Sequence, residues 1–267
     1  MNVKGRVIAI TGAASGIGAA MARRFANEGA AGLVLGDIQE GPLRDLADEL
    51  TERFGATGLK VTGLRCDVTR EGDIREMVEA AETGMGRLDI MCSNAGLVRD
   101  GDEQTPDEIW ELNWNIHVMA NVWAARWALP GMKARGEGYF LITASAAGLL
   151  SSMPSASYAV TKHASIAFAE KLAIDHGDEG IRVSVICPQA VDTPLMAGRL
   201  GKGAALDGVA TADEVAGCVV DGLSAETFLI LPHPKVLDYF RNKAADYDRW
   251  LSGMRRGRAR LRLAEGH

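Results

Sequence analysis

The chain has 267 residues, 47% of them hydrophobic and 24% charged, with a formal net charge of −6. This is an ordinary globular composition, long enough for a well-buried core. The mild acidic excess gives no reason to expect nucleic acid, and the lack of any eighteen-residue apolar run argues against a membrane span.

Short β-rich runs alternate with longer helical patterns from the start. Residues 6–11 (RVIAIT) read as a strand and 16–29 as a helix, followed by a strand at 32–37 and a helix at 43–54. Strands are expected at 60–66 and 88–93, with a helix at 72–83 between them. A long helical region over 106–133 leads to a strand at 138–143, a helix at 157–176 and a strand at 181–187. A helix at 211–223 and a strand at 227–231 close the pattern. Continuous apolar strands between amphipathic helices predict a parallel sheet covered on both faces. The expected fold class is α/β, a single doubly wound Rossmann-like domain with a seven-stranded parallel sheet, spanning residues 1–232.

Two segments break the rhythm. Residues 193–213 follow the sixth strand with little periodicity, either as a mobile lid over the substrate or as a long surface loop. In the tail, 233–267, Leu237, Phe240, Ala244, Tyr247, Leu251 and Met254 recur at helical spacing and predict one apolar helix face. Nine lysines and arginines there against four acids make the tail strongly basic. The expected role is an intramolecular or subunit contact rather than a nucleic-acid patch.

The N-terminus enters a strand almost at once, leaving no room for a signal peptide. Cys66, Cys92, Cys187 and Cys218 are scattered without a C-x-x-C pair. Three lie at the ends of apolar runs and read as buried free thiols of a reducing compartment. No metal site is expected, and the expected location is cytoplasmic.

Between the first strand and helix runs Thr11-Gly12-Ala13-Ala14-Ser15-Gly16-Ile17-Gly18. A glycine-rich turn there lets backbone N–H groups approach a pyrophosphate at a helix N-terminus. The spacing is G-x-x-x-G-x-G, not the commoner G-x-G-x-x-G. Asp37, nineteen residues past Gly18, ends the second strand where an acid is expected to hold a ribose hydroxyl and repel an added phosphate. Ile38, Gln39 and Glu40 follow and Ser15 is neutral, so the sequence favours NAD over NADP.

Tyr158 and Lys162 are four residues apart on a predicted helix and share a face. An ammonium beside a phenol favours the phenolate, so Lys162 is expected to lower the Tyr158 pKa and make it an acid/base. Ser145, thirteen residues upstream of Tyr158 at a strand end, can orient a substrate oxygen.

These motifs, in this order, resemble the short-chain dehydrogenase/reductase family in its compact single-domain branch, over residues 4–231. The resemblance implies roles for further residues. Asp67 and Val68 match the D-V pair beside adenine, and Asn94-Ala95-Gly96 the motif that supports the central sheet. Asn115 completes an Asn–Ser–Tyr–Lys tetrad with Ser145, Tyr158 and Lys162, and Lys162 also holds the nicotinamide ribose. Val191 and Thr193 match the loop at the nicotinamide carboxamide. Ser93 replaces a second Asn, and Gln189 stands where the family usually has Gly, which would set an amide beside the substrate.

Pocket positions implied by the same resemblance are Leu97, Ala147, Leu149, Met153, Gln189, Leu195 and Met196, nearly all apolar. Arg99 and His117 would supply polarity if they faced inward, but both are expected to be structural or solvated. The expected partner is a small hydrophobic secondary alcohol or ketone, with neither nucleic acid nor membrane, in a homodimer or homotetramer. The expected activity is NAD-dependent hydride transfer. The alternatives are an NADPH-dependent ketoreductase and a non-catalytic NAD-binding sensor or scaffold.

Overall fold

A computed structural model describes residues 1–197, 205 and 207–264, with side chains up to 260. Its centre is a parallel sheet of β1 (Val7–Thr11), β2 (Gly32–Asp37), β3 (Lys60–Arg65), β4 (Ile90–Ser93), β5 (Gly138–Thr143) and β6 (Ile181–Ile186). Two further short strands, β7 (Val191–Asp192) and β8 (Ala210–Thr211), pair only with each other, and β9 (Leu229–Ile230) completes the main sheet. The main sheet has seven strands in the order β3-β2-β1-β4-β5-β6-β9, all parallel. The expected last strand, 227–231, shrinks to two residues because β9 is an edge strand that pairs only Val185 and Ile186 of β6.

The sheet is filled from both faces. α1 (Gly16–Asn27), α2 (Glu40–Phe54) and α8 (Ala212–Ala225) cover one face, where Met21, Phe25, Leu46 and Val219 pack on Ile8, Ile10 and Leu33. α3 (Glu71–Glu79), α5 (Ala120–Arg135) and α7 (Ala156–His176) cover the other, where Met77, Ala124, Ala128 and Ile166 pack on Ala9, Val34 and Phe140. The alternation of strand residues between two apolar layers explains why these strands read as unbroken hydrophobic runs. Among the described residues no helix is long and apolar enough to cross a membrane. Cys66, Cys92 and Cys187 are buried, and Cys218 is half-buried.

The long helical region starts as α4 (Asp107–Trp114) and enters α5 through a π-turn over Asn115–Met119. Such a turn breaks the regular backbone ladder. Here the carbonyl of His117 accepts hydrogen bonds from Asn121 Nδ2 of α5 (2.5 Å) and from Ser165 Oγ (2.8 Å), the second of which ties the turn to α7. A short helix absent from the sequence reading, α6 (Ala147–Leu150), lies between β5 and α7.

The tail forms two helices rather than the single one expected. α9 (Lys235–Ala245) ends at Asp246, whose backbone is extended, and α10 (Tyr247–Ala264) begins beyond it. Asp246 Oδ1 accepts the Arg249 N–H at 2.9 Å, an N-cap that starts the second helix. The break resets the helical phase. Val236, Phe240 and Lys243 therefore turn inward from α9, while Ala244, Tyr247 and Leu251 are exposed. The buried Lys243 donates to the Leu149 carbonyl at 2.6 Å and lies 4.9 Å from the Trp250 ring centroid, joining α9 to α6 and α10.

The carboxyl ends of β1, β4 and β5 are joined by one amide. Asn94 Nδ2 donates to the carbonyls of Thr11 (3.0 Å) and Gly12 (3.3 Å), and its Oδ1 accepts from Thr143 Oγ1 (2.9 Å). Asn94→Ala removes all three bonds and is expected to cost about 2–4 kcal/mol. Urea unfolding checks this, and a loss below about half a kcal/mol would show that the junction carries no weight.

Candidate active site

Strand order reverses between β1 and β4, and a cavity of about 1130 Å³ opens at the carboxyl ends of the strands there. One end is the glycine turn. Gly12 and Gly16 have φ of +67° and +53°, a region that favours glycine. A Cβ on Gly12 would lie 2.8 Å from Ala95 Cα, and one on Gly18 only 2.0 Å from the Gly12 carbonyl. The bare backbone is thus what lets the turn, β4 and the start of α1 close together. Thr11 Oγ1 accepts the N–H groups of Asn94 (2.9 Å) and Ala95 (3.1 Å), a brace that the motif reading did not single out.

Gly12, Ser15, Gly16 and Ile17 line this end, and Gly18 supports them from beneath. Asp37 is 7% exposed and takes the Ala14 and Gln39 N–H groups, both at 2.9 Å. Its register partner on β3 is Arg65, but that guanidinium is drawn toward Glu40 and Asp73 and does not line the cavity. Asp67 and Val68 line the cavity next to Asp37, with Asp67 Oδ1 bonded to the Thr69 N–H and hydroxyl. Val191 and Thr193 complete this end, and a Cβ on Gly16 would come within 3.1 Å of the Thr193 methyl. The floor of small residues, the helix N-terminus and the buried acid at the end of β2 fit a dinucleotide.

At the other end, Ser155 N-caps α7 by accepting the Tyr158 N–H at 3.3 Å. The cap sets Tyr158 and Lys162 on consecutive turns facing the cavity, with Lys162 Nζ 5.6 Å from the phenol centroid. Lys162 is 3% exposed and donates to the Thr143 carbonyl at 2.8 Å. Burial depresses its pKa to about 8. The expected lowering of Tyr158 by Lys162 is not what the site produces. Burial pushes the Tyr158 phenol above its ordinary value, and a hydrogen bond with Ser145 pulls it back only in part. Desolvation outweighs the Ser145 hydrogen bond, and the Lys162 ammonium is directed at a carbonyl rather than at the phenol oxygen.

Ser145, beyond the end of β5, donates to the Pro188 carbonyl at 3.4 Å and accepts the Ala147 N–H at 3.1 Å. Asn94, Ala95, Gly96, Ser145, Tyr158 and Lys162 therefore share one cavity. Asn115 does not line it. It is half-buried in the π-turn, between the lining residues Leu112 and Ile116. Of the implied pocket positions, Leu97, Ala147, Met153, Gln189, Leu195 and Met196 line the cavity. Leu149 does not. It faces the other way from the four-residue helix α6, into the core. Of the segment 193–213, residues 198–204 and 206 lie outside the described residues.

Side chains beyond the motif residues also reach the cavity or its wall. His117 is 2% exposed, not solvated, and meets Tyr158 edge to face at 5.4 Å between centroids. Its Nε2 accepts the Leu97 N–H (3.2 Å), so the ring proton is on Nδ1 and points to Thr161 Oγ1 (2.9 Å). Burial, with Lys162 nearby, drives its pKa well down and keeps it neutral. Its position two residues past Asn115 was the available signal. Tyr239 and Asn242 of α9 and Trp250 and Met254 of α10 roof the cavity, a role the tail's apolar spacing hinted at without naming its partner. Arg99 also lines it, with an exposed side chain.

A depressed lysine pKa has a measurable consequence. Between about pH 8 and 10.5 the unfolded chain binds the Lys162 proton and the folded chain does not, so stability rises with pH in that window. Below pH 8 the buried ammonium costs roughly 3 kcal/mol. Lys162→Met should thus show its most favourable Tm relative to wild type near pH 7, and the difference should drift toward wild type as pH approaches 10. A difference independent of pH would contradict the buried ammonium.

The comparisons with known proteins agree with this arrangement. The family model for short chain dehydrogenase matches residues 6–202. The chain is similar to 1-deoxy-11-beta-hydroxypentalenate dehydrogenase of Streptomyces exfoliatus, with 34% identity covering 94% of this chain and 92% of the relative. Among solved structures it is similar to a short chain dehydrogenase/reductase from Burkholderia phymatum in complex with NAD (TM-score 0.83, 28% identity, 93% of this chain and 96% of that one). It is also similar to L-sorbose reductase from Gluconobacter frateurii complexed with NADPH and L-sorbose (TM-score 0.77, 31% identity, 86% and 95%). With the doubly wound sheet, the glycine turn and the Ser145–Tyr158–Lys162 wall already in view, the chain belongs to the short-chain dehydrogenase/reductase family of oxidoreductases.

Proposed function

We propose that this chain is an NAD-dependent dehydrogenase acting on a hydrophobic secondary alcohol, or on the matching ketone in reverse. The observation that carries the reading is the convergence of Ser145, Tyr158 and Lys162 on a cavity whose far end is a glycine-floored turn next to a buried Asp37. When bound there, the nicotinamide supplies the hydride acceptor or donor. The hydroxyls of Ser145 and Tyr158 hold the reacting oxygen, and Tyr158 exchanges the proton with it. A phenol kept neutral by burial is a ready donor to a carbonyl oxygen. In the direction of alcohol oxidation it must lose its proton, and the Lys162 ammonium, 5.6 Å from the ring centroid, is the positive charge that would favour that. His117 packs on the ring edge and restrains its tilt, as a positioning residue. Asn115 belongs to the proposed tetrad through the π-turn that shapes the wall. Leu97, Met153, Leu195 and Met196, with Trp250 and Met254 above, give an apolar enclosure suited to a ring or hydrocarbon skeleton.

Asp37 supports NAD over NADP, since a carboxylate with both oxygens already held by backbone N–H groups has no freedom to turn away from an added phosphate. The neighbour from Burkholderia phymatum is in complex with NAD, consistent with this choice, while the sorbose reductase carries NADPH. The relative named as a hydroxypentalenate dehydrogenase supports a hydroxyl-bearing substrate.

Two measurements check the reading. Tyr158→Phe should lower turnover by about a hundredfold or more while leaving the NAD dissociation constant nearly unchanged, and undiminished turnover would remove Tyr158 from the chemistry. NAD should bind at least about tenfold tighter than NADP, and Asp37→Ser should erase most of that margin. Equal affinity of wild type for both would refute the assignment of Asp37.

A further inference from the structure

The cavity is apolar over most of its wall, yet it contains a concentrated set of polar atoms without partners. Gln189 Oε1 and Asp207 Oδ2 both belong to lining residues, are buried, and have no hydrogen-bond partner among the described residues. The Asp207 side chain is only 7% exposed. Its Oδ1 is already engaged by the Tyr239 hydroxyl (3.0 Å) and by Lys235 Nζ (3.1 Å). Burial opposes ionisation of Asp207, but hydrogen bonds from Lys235 and Tyr239 to Oδ1 outweigh it and hold the carboxyl below its ordinary value. Gln189 is held from behind, where its N–H donates to His233 Nδ1 at 3.2 Å. It directly follows Pro188, whose carbonyl takes the Ser145 hydroxyl. Gln189 Oε1 is thus held on the segment that follows Pro188, and Asp207 Oδ2 lines the same cavity, where a buried acceptor left unpaired favours any donor that reaches it.

Building on the dehydrogenase reading, we propose that Gln189 Oε1 and Asp207 Oδ2 form a polar subsite for a hydrogen-bond donor carried by the substrate at a distance from its reacting carbon. The substrate class is then an apolar ring or chain bearing, besides the secondary alcohol or ketone, a second hydroxyl or an amino group. A carboxylate in the same place would meet the Asp207 charge and have no proton to offer. Arg99, the one arginine among the described lining residues, is exposed and does not engage Gln189 or Asp207 in any described contact.

Calorimetry with NAD present, and again without it, tests the subsite on cyclohexanol and on the same ring carrying a hydroxyl, amino or carboxylate group at the opposite carbon. The hydroxyl or amino compound should bind about tenfold more tightly than cyclohexanol, and the carboxylate no better than cyclohexanol. A larger gain for the amino compound identifies an ammonium as the partner, and a larger gain for the diol a neutral hydroxyl. Gln189→Leu removes one acceptor. Asp207→Asn leaves Lys235 and Tyr239 on the remaining oxygen and turns an NH2 group toward the cavity. Each substitution should bring the ratio to within about twofold of unity. No gain over cyclohexanol, a preference for the carboxylate, a ratio that survives both substitutions, or binding of no compound at all would overturn the subsite. Turnover recorded in parallel separates the two claims. Oxidation without discrimination defeats the subsite alone, whereas discrimination without oxidation defeats the dehydrogenase reading alone.

Discussion

The hydrogen bond from Lys162 to the Thr143 carbonyl is the contact on which the site depends. An ammonium buried at the end of a parallel sheet has lost its water, and a carbonyl at the end of β5 is the partner that lets it stay. Thr143 is in turn fixed by Asn94, and Asn94 holds the carbonyls of Thr11 and Gly12. One line of hydrogen bonds therefore runs from the glycine turn, across three strand ends, to the lysine beside Tyr158. The two ends of the cavity are parts of one rigid assembly, and disturbing either should be felt at the other.

That arrangement carries a cost. Burying Lys162 depresses its pKa to about 8, and burying Tyr158 raises the phenol. Both shifts oppose the charged forms: at neutral pH the cost falls on the Lys162 ammonium, while the Tyr158 phenol is kept protonated and able to donate to a carbonyl oxygen. The surrounding core supports this. The two apolar layers around the sheet and the π-turn braced by Asn121 and Ser165 leave His117 and Tyr158 little room to move.

Much of the fold was legible because each strand fills both layers and each helix fills one. The alternation of unbroken apolar runs with amphipathic stretches is then forced by packing. The glycine turn and the Tyr158/Lys162 pair were legible for a related reason, since a ligand cradle and a shared helix face both demand fixed spacings. The braces were not. Thr11 and Thr143 act through distant partners, and short-range spacing carries no trace of contacts made at a strand end. The tail was misread as one helix because its apolar spacing runs across Asp246, although an aspartate is a common N-cap and marked the restart. The Tyr158 pKa was misjudged because spacing shows that Lys162 is near but not where its ammonium points. Leu149 was placed in the pocket and is found in the core, since the brief helix α6 sets its direction and left no periodic signature.

The tail extends the same theme. Lys243 joins α9 to the Leu149 carbonyl and to the rings of Tyr247 and Trp250, which puts Trp250 and Met254 over the cavity. The basic surface that follows is a consequence of helix α10 lying with one side on the domain and the other in solvent. The central claim, that this cavity moves a hydride between a carbinol carbon and a nicotinamide, is tested most directly by isotope transfer. An apolar secondary alcohol deuterated at the carbinol carbon is incubated with the purified protein and NAD, and the nicotinamide product is weighed by mass spectrometry. The structure predicts NADH carrying one deuterium from the alcohol. NADH formed without the label, or none across a set of apolar alcohols while NAD remains bound, would contradict it.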